Sequence, residues 1–199
     1  MTALIRLATE SDAAAIQAIY APIVQDTFIS FEMDIPTVDE MRARVHKTLV
    51  AFPWLVCENE QGEVAGYVYA SKHRERAAYQ WAVDVTAYVS PIAHRSGVAR
   101  GLYTSLFALL RLQGFFNAYA GIAMPNDASV GAHRAVGFQA IGVYHNVGYK
   151  LGKWHDVSWW GLALQPALTE PPTPKPLDEI RTHPEWDAAL NAGLPLIRL

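Results

Sequence analysis

Cysteine is almost absent from this chain: Cys57 is the only one among 199 residues. A lone thiol excludes an internal disulfide and any paired-cysteine metal site. It sits beside the apolar run Trp54-Leu55-Val56, which marks it as a core thiol. Long hydrophobic runs are also missing. No stretch reaches the roughly 18 to 20 apolar residues that a membrane-spanning helix needs. The start, Met1-Thr2-Ala3-Leu4-Ile5-Arg6, lacks the charged-then-apolar pattern of a secretory leader, so the expected location is the cytoplasm. Neither sign of charge dominates. Sixteen basic against nineteen acidic residues leave a net charge of −3, which gives no bulk electrostatic case for nucleic acid or an anionic membrane. There is no His-Glu-x-x-His, and His145 and His155 fall on separate expected strands, so no metal site is expected. Internal repeats are absent.

What is present is an ordinary globular composition, 51% hydrophobic and 18% charged, on a chain long enough for one sizeable core. Leu4 to Ala8 reads as a strand, followed by a helix from Asp12 to Tyr20 capped by Thr9 or Ser11. Pro22 is expected to begin an irregular connection through Phe28 and Phe31. Thr37 with Glu40 three residues on is a capping box for a helix that carries Met41, Val45 and Leu49 inward. Strands over 54–58 and 64–71 flank a Gln61-Gly62 turn, and a long strand is expected from Tyr79 to Val89. Helix 97–113, strand 116–122, helix 127–136, strand 139–147, turn 148–153 and strand 154–164 complete the order. The sum is an α+β chain, β-α-α-β-β-β-α-β-α-β-β, with a mixed, mainly antiparallel sheet flanked by helices. Five prolines between Pro166 and Pro176 then suggest an extended tail. Residues 1–165 are therefore expected to form the domain. Residues 166–199 are expected to dock on it, or on a second subunit, through Trp186 and Leu190 of a short helix.

Three segments can carry chemistry. Arg95-Ser96-Gly97-Val98-Ala99-Arg100-Gly101 follows the run Val83 to Val89 and opens the helical pattern of Leu102, Tyr103, Leu106, Phe107 and Leu110. Small residues at a helix start aim free N–H groups outward, where the helix dipole also favours an anion such as pyrophosphate. Ordinary capping uses the same residue types. The spacing is neither the dinucleotide fingerprint Gly-x-Gly-x-x-Gly nor a P-loop. Further on, Asn126, Ser129 and His133 share one helix face at spacings of three and four. Asn126 suits an N-cap, and an imidazole can donate a proton or polarise a carbonyl, though a helix histidine can also be a satisfied core group. Lys72-His73-Arg74-Glu75-Arg76 is basic enough to hold a carboxylate, or is a solvated turn.

In order, these segments and the hairpin Gly148-Tyr149-Lys150-x-Gly152-x-Trp154-His155-Asp156-Val157 resemble the Gcn5-related N-acetyltransferases, and within them the phosphinothricin N-acetyltransferase branch. The resemblance runs from about Ile5 to Leu164. It implies that His94-Arg95-Ser96-Gly97-Val98-Ala99 is the Gln/Arg-x-x-Gly-x-Gly/Ala loop that holds coenzyme A, with His94 and Ala99 as departures. Ala87, Tyr88 and Val89 would then pair with the pantetheine arm. Backbone N–H groups of Arg95, Ser96, Gly97, Val98, Ala99 and Arg100 would cradle the pyrophosphate, with Asn126 and Ser129 beside the arm.

Asp84 stands where the family carries a catalytic Glu, as general base or as anchor of the substrate ammonium. Its carboxylate is shorter by roughly 1.5 Å, which a relaying water can bridge. His133 stands at the proton donor's position. Phe31, Arg74, Arg76, Tyr79 and Thr86 would form the acceptor side, and the 150–156 hairpin would close it. The implied activity is acetyl transfer from acetyl-CoA to the primary amine of a small amino-acid-like acceptor of the phosphinothricin or methionine sulfone/sulfoximine class. Attack is direct, because the active strand has no Cys to relay the acetyl group. A different amino acid or amine as acceptor, or a non-catalytic acetyl-CoA-binding protein, are the alternatives, and a homodimer is implied.

Overall fold

Apolar, β-branched and aromatic residues along the strands build a single seven-stranded sheet in this computed structural model, which describes residues 3–199. The strands are β1 (Leu4–Leu7), β2 (Trp54–Glu58), β3 (Val64–Lys72), β4 (Ala82–Val89), β5 (Asn117–Met124), β6 (Gln139–Lys150) and β7 (Lys153–Ala163). Their order across the sheet is β1-β2-β3-β4-β5-β7-β6. Every pairing is antiparallel except β4 with β5. The first two residues of the stretch read for a leader, Met1 and Thr2, lie outside the described residues. Among the described residues no helix is long and apolar enough to cross a membrane.

Period-two alternation divides the core by sheet face. Leu55, Cys57, Val68, Ala70, Val83, Val85, Ala118 and Ala120 point to one face, under α3 (Val98–Gln113). That helix buries Leu102, Leu106, Leu109 and Leu110 completely, each contributing roughly 1.5–3 kcal/mol relative to exposure. Burial also pushes the Cys57 thiol up to about 11, as suits a core residue. Trp54, Val56 and Tyr67 point the other way, against α1 (Ala13–Asp26) and α2 (Val38–Leu49). Asp84, Thr86 and Tyr88 alternate with the core positions of β4 and therefore share this second face.

The capping box at Thr37 and Glu40 forms as the spacing predicts. Pro22 does not end the first helix, which runs through it to Asp26. The buried stripe Ile16, Ile19, Tyr20 and Val24 continues past the proline, and packing outweighs the one backbone bond that proline removes. Likewise β4 begins at Ala82 rather than Tyr79, because Ala77–Tyr79 tightens into a 3-10 turn. The last hairpin turns only at Leu151-Gly152, so β6 extends to Lys150. After the proline-rich stretch come α5 (Leu177–Ile180) and α6 (Trp186–Asn191). Leu177, Ile180, Ala189 and Ile197 join the core under α3.

Candidate active site

The strands β4 and β5 pair only through Ala82, Val83 and Asp84. Beyond Asp84 they part: 85–89 keep β3 on one side, and Ala120–Met124 keep β7 on the other. Two half-paired edges thus face a cleft of about 60 Å³, lined by Val85 to Tyr88 and Ala120 to Ala123. An unpaired edge with free N–H and C=O groups can take an extended, amide-bearing chain as an added strand. Ala87 and Tyr88 lie on that edge, with Val89 at its end. His94 Nε2 lies 3.2 Å from the Val89 carbonyl, so this departure from the usual Gln or Arg ties the loop to the strand.

The loop enters α3 through two left-handed residues, Arg95 at φ 65° and Gly97 at φ 83°. Gly97 is the N-cap, and the first helical N–H with an internal partner is that of Gly101, bonded to Gly97 O at 2.8 Å. The N–H groups of Val98, Ala99 and Arg100 are therefore free at the positive end of the dipole. Ser96 is less available than the sequence suggests: its N–H reaches Ala93 O at 3.4 Å and its hydroxyl donates there at 2.6 Å. Among the described residues, neither Arg95 nor Arg100 forms an ion pair with a carboxylate.

Asp84 sits where the strands part. His73 Nδ1 donates to its carboxylate at 2.7 Å, and Arg74 Nη1 stands 3.9 Å from the second oxygen. Burial nevertheless raises the Asp84 pKa above the ordinary aspartate range, against the lowering pull of His73 and Arg74. Arg74 also lies over the Trp159 ring at 5.7 Å, and the His73 ring stacks on Tyr119 at 4.6 Å. Tyr79 is edge-on to His73, and Thr86 lines the cleft opposite Tyr69. Arg76 is exposed at the start of the 3-10 turn and joins no such cluster. A cavity of about 660 Å³ opens on this same face, walled by Trp54, Tyr67, Tyr69 and Tyr88. Ser71 lines it and is the cross-strand partner of Asp84.

On the opposite face, α4 (Asp127–Ala135) supplies His133, which is 7% exposed. Asn126 Oδ1 caps this helix by accepting from Ser129 N at 3.1 Å. His133 Nδ1 lies 2.7 Å from the Ser129 carbonyl, which can only accept, so Nδ1 carries the hydrogen. Nε2 then accepts from the Tyr103 hydroxyl at 3.0 Å. Burial lowers the His133 pKa and raises that of Tyr103, so both groups are neutral and the hydrogen between them rests on Tyr103 Oη at the cleft wall. Tyr103 reads in the sequence as one more core position of α3. His73 reads as part of a charged turn. Only the pairing of Ser71 with Asp84 places residue 73 beside the carboxylate.

The signature hairpin has a physical role. Lys150, 4% exposed, donates from Nζ to the carbonyls of Val24, Ser30 and Glu32 at 2.6, 2.8 and 2.7 Å. It thereby fastens the α1–α2 connection to the end of β6. His155 donates to the Lys150 carbonyl at 3.0 Å and stacks on Phe28 at 4.3 Å. Asp156 accepts from Asn146 N and His145 Nδ1, both at 2.8 Å, and so holds the irregular part of β6. Phe31 lies against Gly148, and Glu32 is held by Tyr20 and by both guanidinium arms of Arg44.

Residues 5–159 match the acetyltransferase (GNAT) domain family. The chain is 38% identical over 177 residues to a phosphinothricin N-acetyltransferase of Streptomyces viridochromogenes, covering 88% of this chain and 95% of that one. It is 30% identical over 172 residues to an L-methionine sulfoximine/L-methionine sulfone acetyltransferase of Pseudomonas paraeruginosa, covering 86% and 100%. The structure of a phosphinothricin acetyltransferase from Sinorhizobium meliloti in complex with AcCoA superposes with a TM-score of 0.82 at 32% identity, over 86% of this chain and 94% of that one. The parted strands, the left-handed loop into α3 and these likenesses agree: the chain belongs to the GNAT acetyltransferase family.

Proposed function

We propose that this protein transfers the acetyl group of acetyl-CoA to the primary amine of a small amino-acid-like acceptor, in the class of phosphinothricin and methionine sulfone or sulfoximine. The observation that carries the reading is the parting of β4 and β5 directly after Asp84, with a carboxylate at one face and the Tyr103–His133 pair at the other. The pantetheine arm lies along Ala87, Tyr88 and Val89, and the free N–H groups of Val98 to Arg100 hold the pyrophosphate. Asn126 and Ser129 flank the arm.

Asp84, its pKa already raised, takes a proton from the ammonium directly or through one water. The amine nitrogen attacks the thioester carbonyl carbon, and the carbon–sulfur bond breaks. The departing thiolate receives the Tyr103 Oη proton, and the attacking nitrogen gives up its second proton to solvent water, from which the Tyr103–His133 pair is reprotonated. Arg74, with Arg76 and Tyr79 at the rim, takes the acceptor carboxylate. The acceptor side chain extends past Ser71 into the aromatic cavity, with Phe31 and Thr86 beside the reacting end.

The working form is a homodimer in the cytoplasm. Supporting the dimer, β6 is a sheet edge that exposes Ile141, Val143, Tyr144, Val147 and Tyr149. The test is release of free CoA thiol from acetyl-CoA in the presence of a panel of amino acids, phosphinothricin and methionine sulfone included. One carboxylate-bearing amine should stimulate release, and Asp84→Ala should abolish the stimulation. Tight CoA binding with no acceptor-stimulated release would make the chain a binding protein instead.

A further inference from the structure

The segment after α6 reaches back to the loop that enters α3. The backbones of Gly193 and Gly101 meet so closely that a Cβ on Gly193 would run into the Gly101 carbonyl. Gly193 N donates to the buried Ser105 hydroxyl at 3.0 Å. The Leu196 carbonyl occupies the space that a Cβ on Gly97 would need. Arg198 N then donates to Ser96 O at 2.7 Å, and Ile197, 8% exposed, joins the core with Val98 and Leu102. Ser96, Gly97 and Gly101 are thus all touched by one terminal strap, which lies beyond the matched acetyltransferase domain.

The loop needs such a hold. Arg95 and Gly97 are both left-handed, and a side-chain-bearing residue in that region is disfavoured. Ser96 lies between them, and apart from the bond to Arg198 its hydrogen bonds go to Ala93. A loop fixed before binding loses less entropy when the ligand arrives.

We infer that residues 193–198 are a positioning element for the coenzyme A loop. They hold Ser96 and Gly97 in the conformation that presents the α3 N–H groups to the pyrophosphate. The inference rests on the assignment of that loop to the cofactor, proposed above. The strap acts through Ser96 and Gly97 and touches no reacting atom, so it governs cofactor affinity and leaves the chemical step alone.

Two variants of the full chain test it. Arg198→Pro removes the single N–H that reaches Ser96, at an exposed position next to the terminus. Gly193→Ala drives the strap off Gly101. Calorimetric Kd values for CoA, competition by pantetheine, and kcat and KM for acetyl-CoA are measured together with the thermal midpoint. For Arg198→Pro the Kd for CoA and the KM for acetyl-CoA should rise roughly fivefold, the worth of one net hydrogen bond. Gly193→Ala should shift them at least as far. In both, kcat should be unchanged, as should affinity for pantetheine, which lacks the pyrophosphate.

Unchanged CoA affinity in Arg198→Pro would overturn the inference, as would equal losses for CoA and pantetheine or a fall in kcat alone. If Gly193→Ala fails to fold, the Arg198→Pro comparison decides. A wild-type chain that does not bind CoA would instead remove the cofactor assignment itself, and binding without turnover would remove only the acetyltransfer.

Discussion

Two ionisable groups on opposite faces of the parted strands, half-buried Asp84 and buried His133, have pKa values pushed in opposite directions, and desolvation is the leading cause of both shifts. Asp84 is raised despite His73 and Arg74, which brings a carboxylate nearer the basicity needed to accept a proton from an ammonium. Replacing it with Asn should lower kcat/KM for acetyl transfer by about 10²- to 10⁴-fold, the range for loss of a positioned base, in the thiol-release assay. The wild-type rate should climb with pH as Asp84 ionises across its raised value. Stability has the opposite sign there. A raised native pKa means the folded form binds the proton more tightly, so this group's contribution diminishes as pH rises from the ordinary aspartate range through the raised value.

His133 is lowered, so the unfolded chain takes up its proton first on acidification. Its contribution is complete above the usual imidazole range and is lost as pH falls through the depressed value. Melting curves of His133→Phe should show a flatter acid limb than wild type. An unchanged acid limb would mean that His133 is not the group responsible.

At the scale of elements, the site depends on the α1–α2 connection staying against the last hairpin. Lys150 is the fastening, a buried ammonium whose three hydrogen bonds all go to carbonyls of α1 and the chain after it. Lys150→Met would leave those carbonyls without a donor and should destabilise the fold by roughly 2–4 kcal/mol, read from denaturant midpoints. Phe31 and Glu32 would loosen with it. KM for the acceptor should therefore rise several-fold while KM for acetyl-CoA, whose proposed site lies along β4 and α3, holds constant. Equal rises for both substrates would show that the hairpin supports the whole domain rather than the acceptor side. The same scale explains the cleft. Antiparallel pairing with β3 and with β7 continues alongside the parted stretch, so both freed edges of β4 and β5 are held from their outer sides.

For the whole molecule, the unfinished surface is β6. Its residues from Gln139 to Val147 are all exposed, and Trp154 on β7 is 59% exposed beside it. An apolar edge of this length invites a second copy. Light scattering should give about twice the 22.0 kDa chain mass, and Val143→Lys combined with Trp154→Glu should return it to the monomer value. A wild-type mass of one chain would dismiss the dimer.

Much of this was legible in one dimension because it is local. The Thr37–Glu40 cap, the alternation in β4, the small-residue entry to α3 and the Asn126 cap each depend on neighbours within four residues, where backbone sterics and side-chain spacing suffice. Contacts across long separations were not legible. Nothing in the spacing of His73, Tyr103 or Lys150 announces that the first meets Asp84, the second His133 and the third the carbonyls of Val24, Ser30 and Glu32. Pro22 fails as a local signal for the same reason, since the packing of Ile16, Ile19, Tyr20 and Val24 overrides it. Residue identity and short-range periodicity thus decide which elements form and which chemical groups they carry. Burial against distant parts of the chain decides their pKa values and partners, because desolvation and hydrogen bonding depend on what surrounds a group in space rather than in sequence.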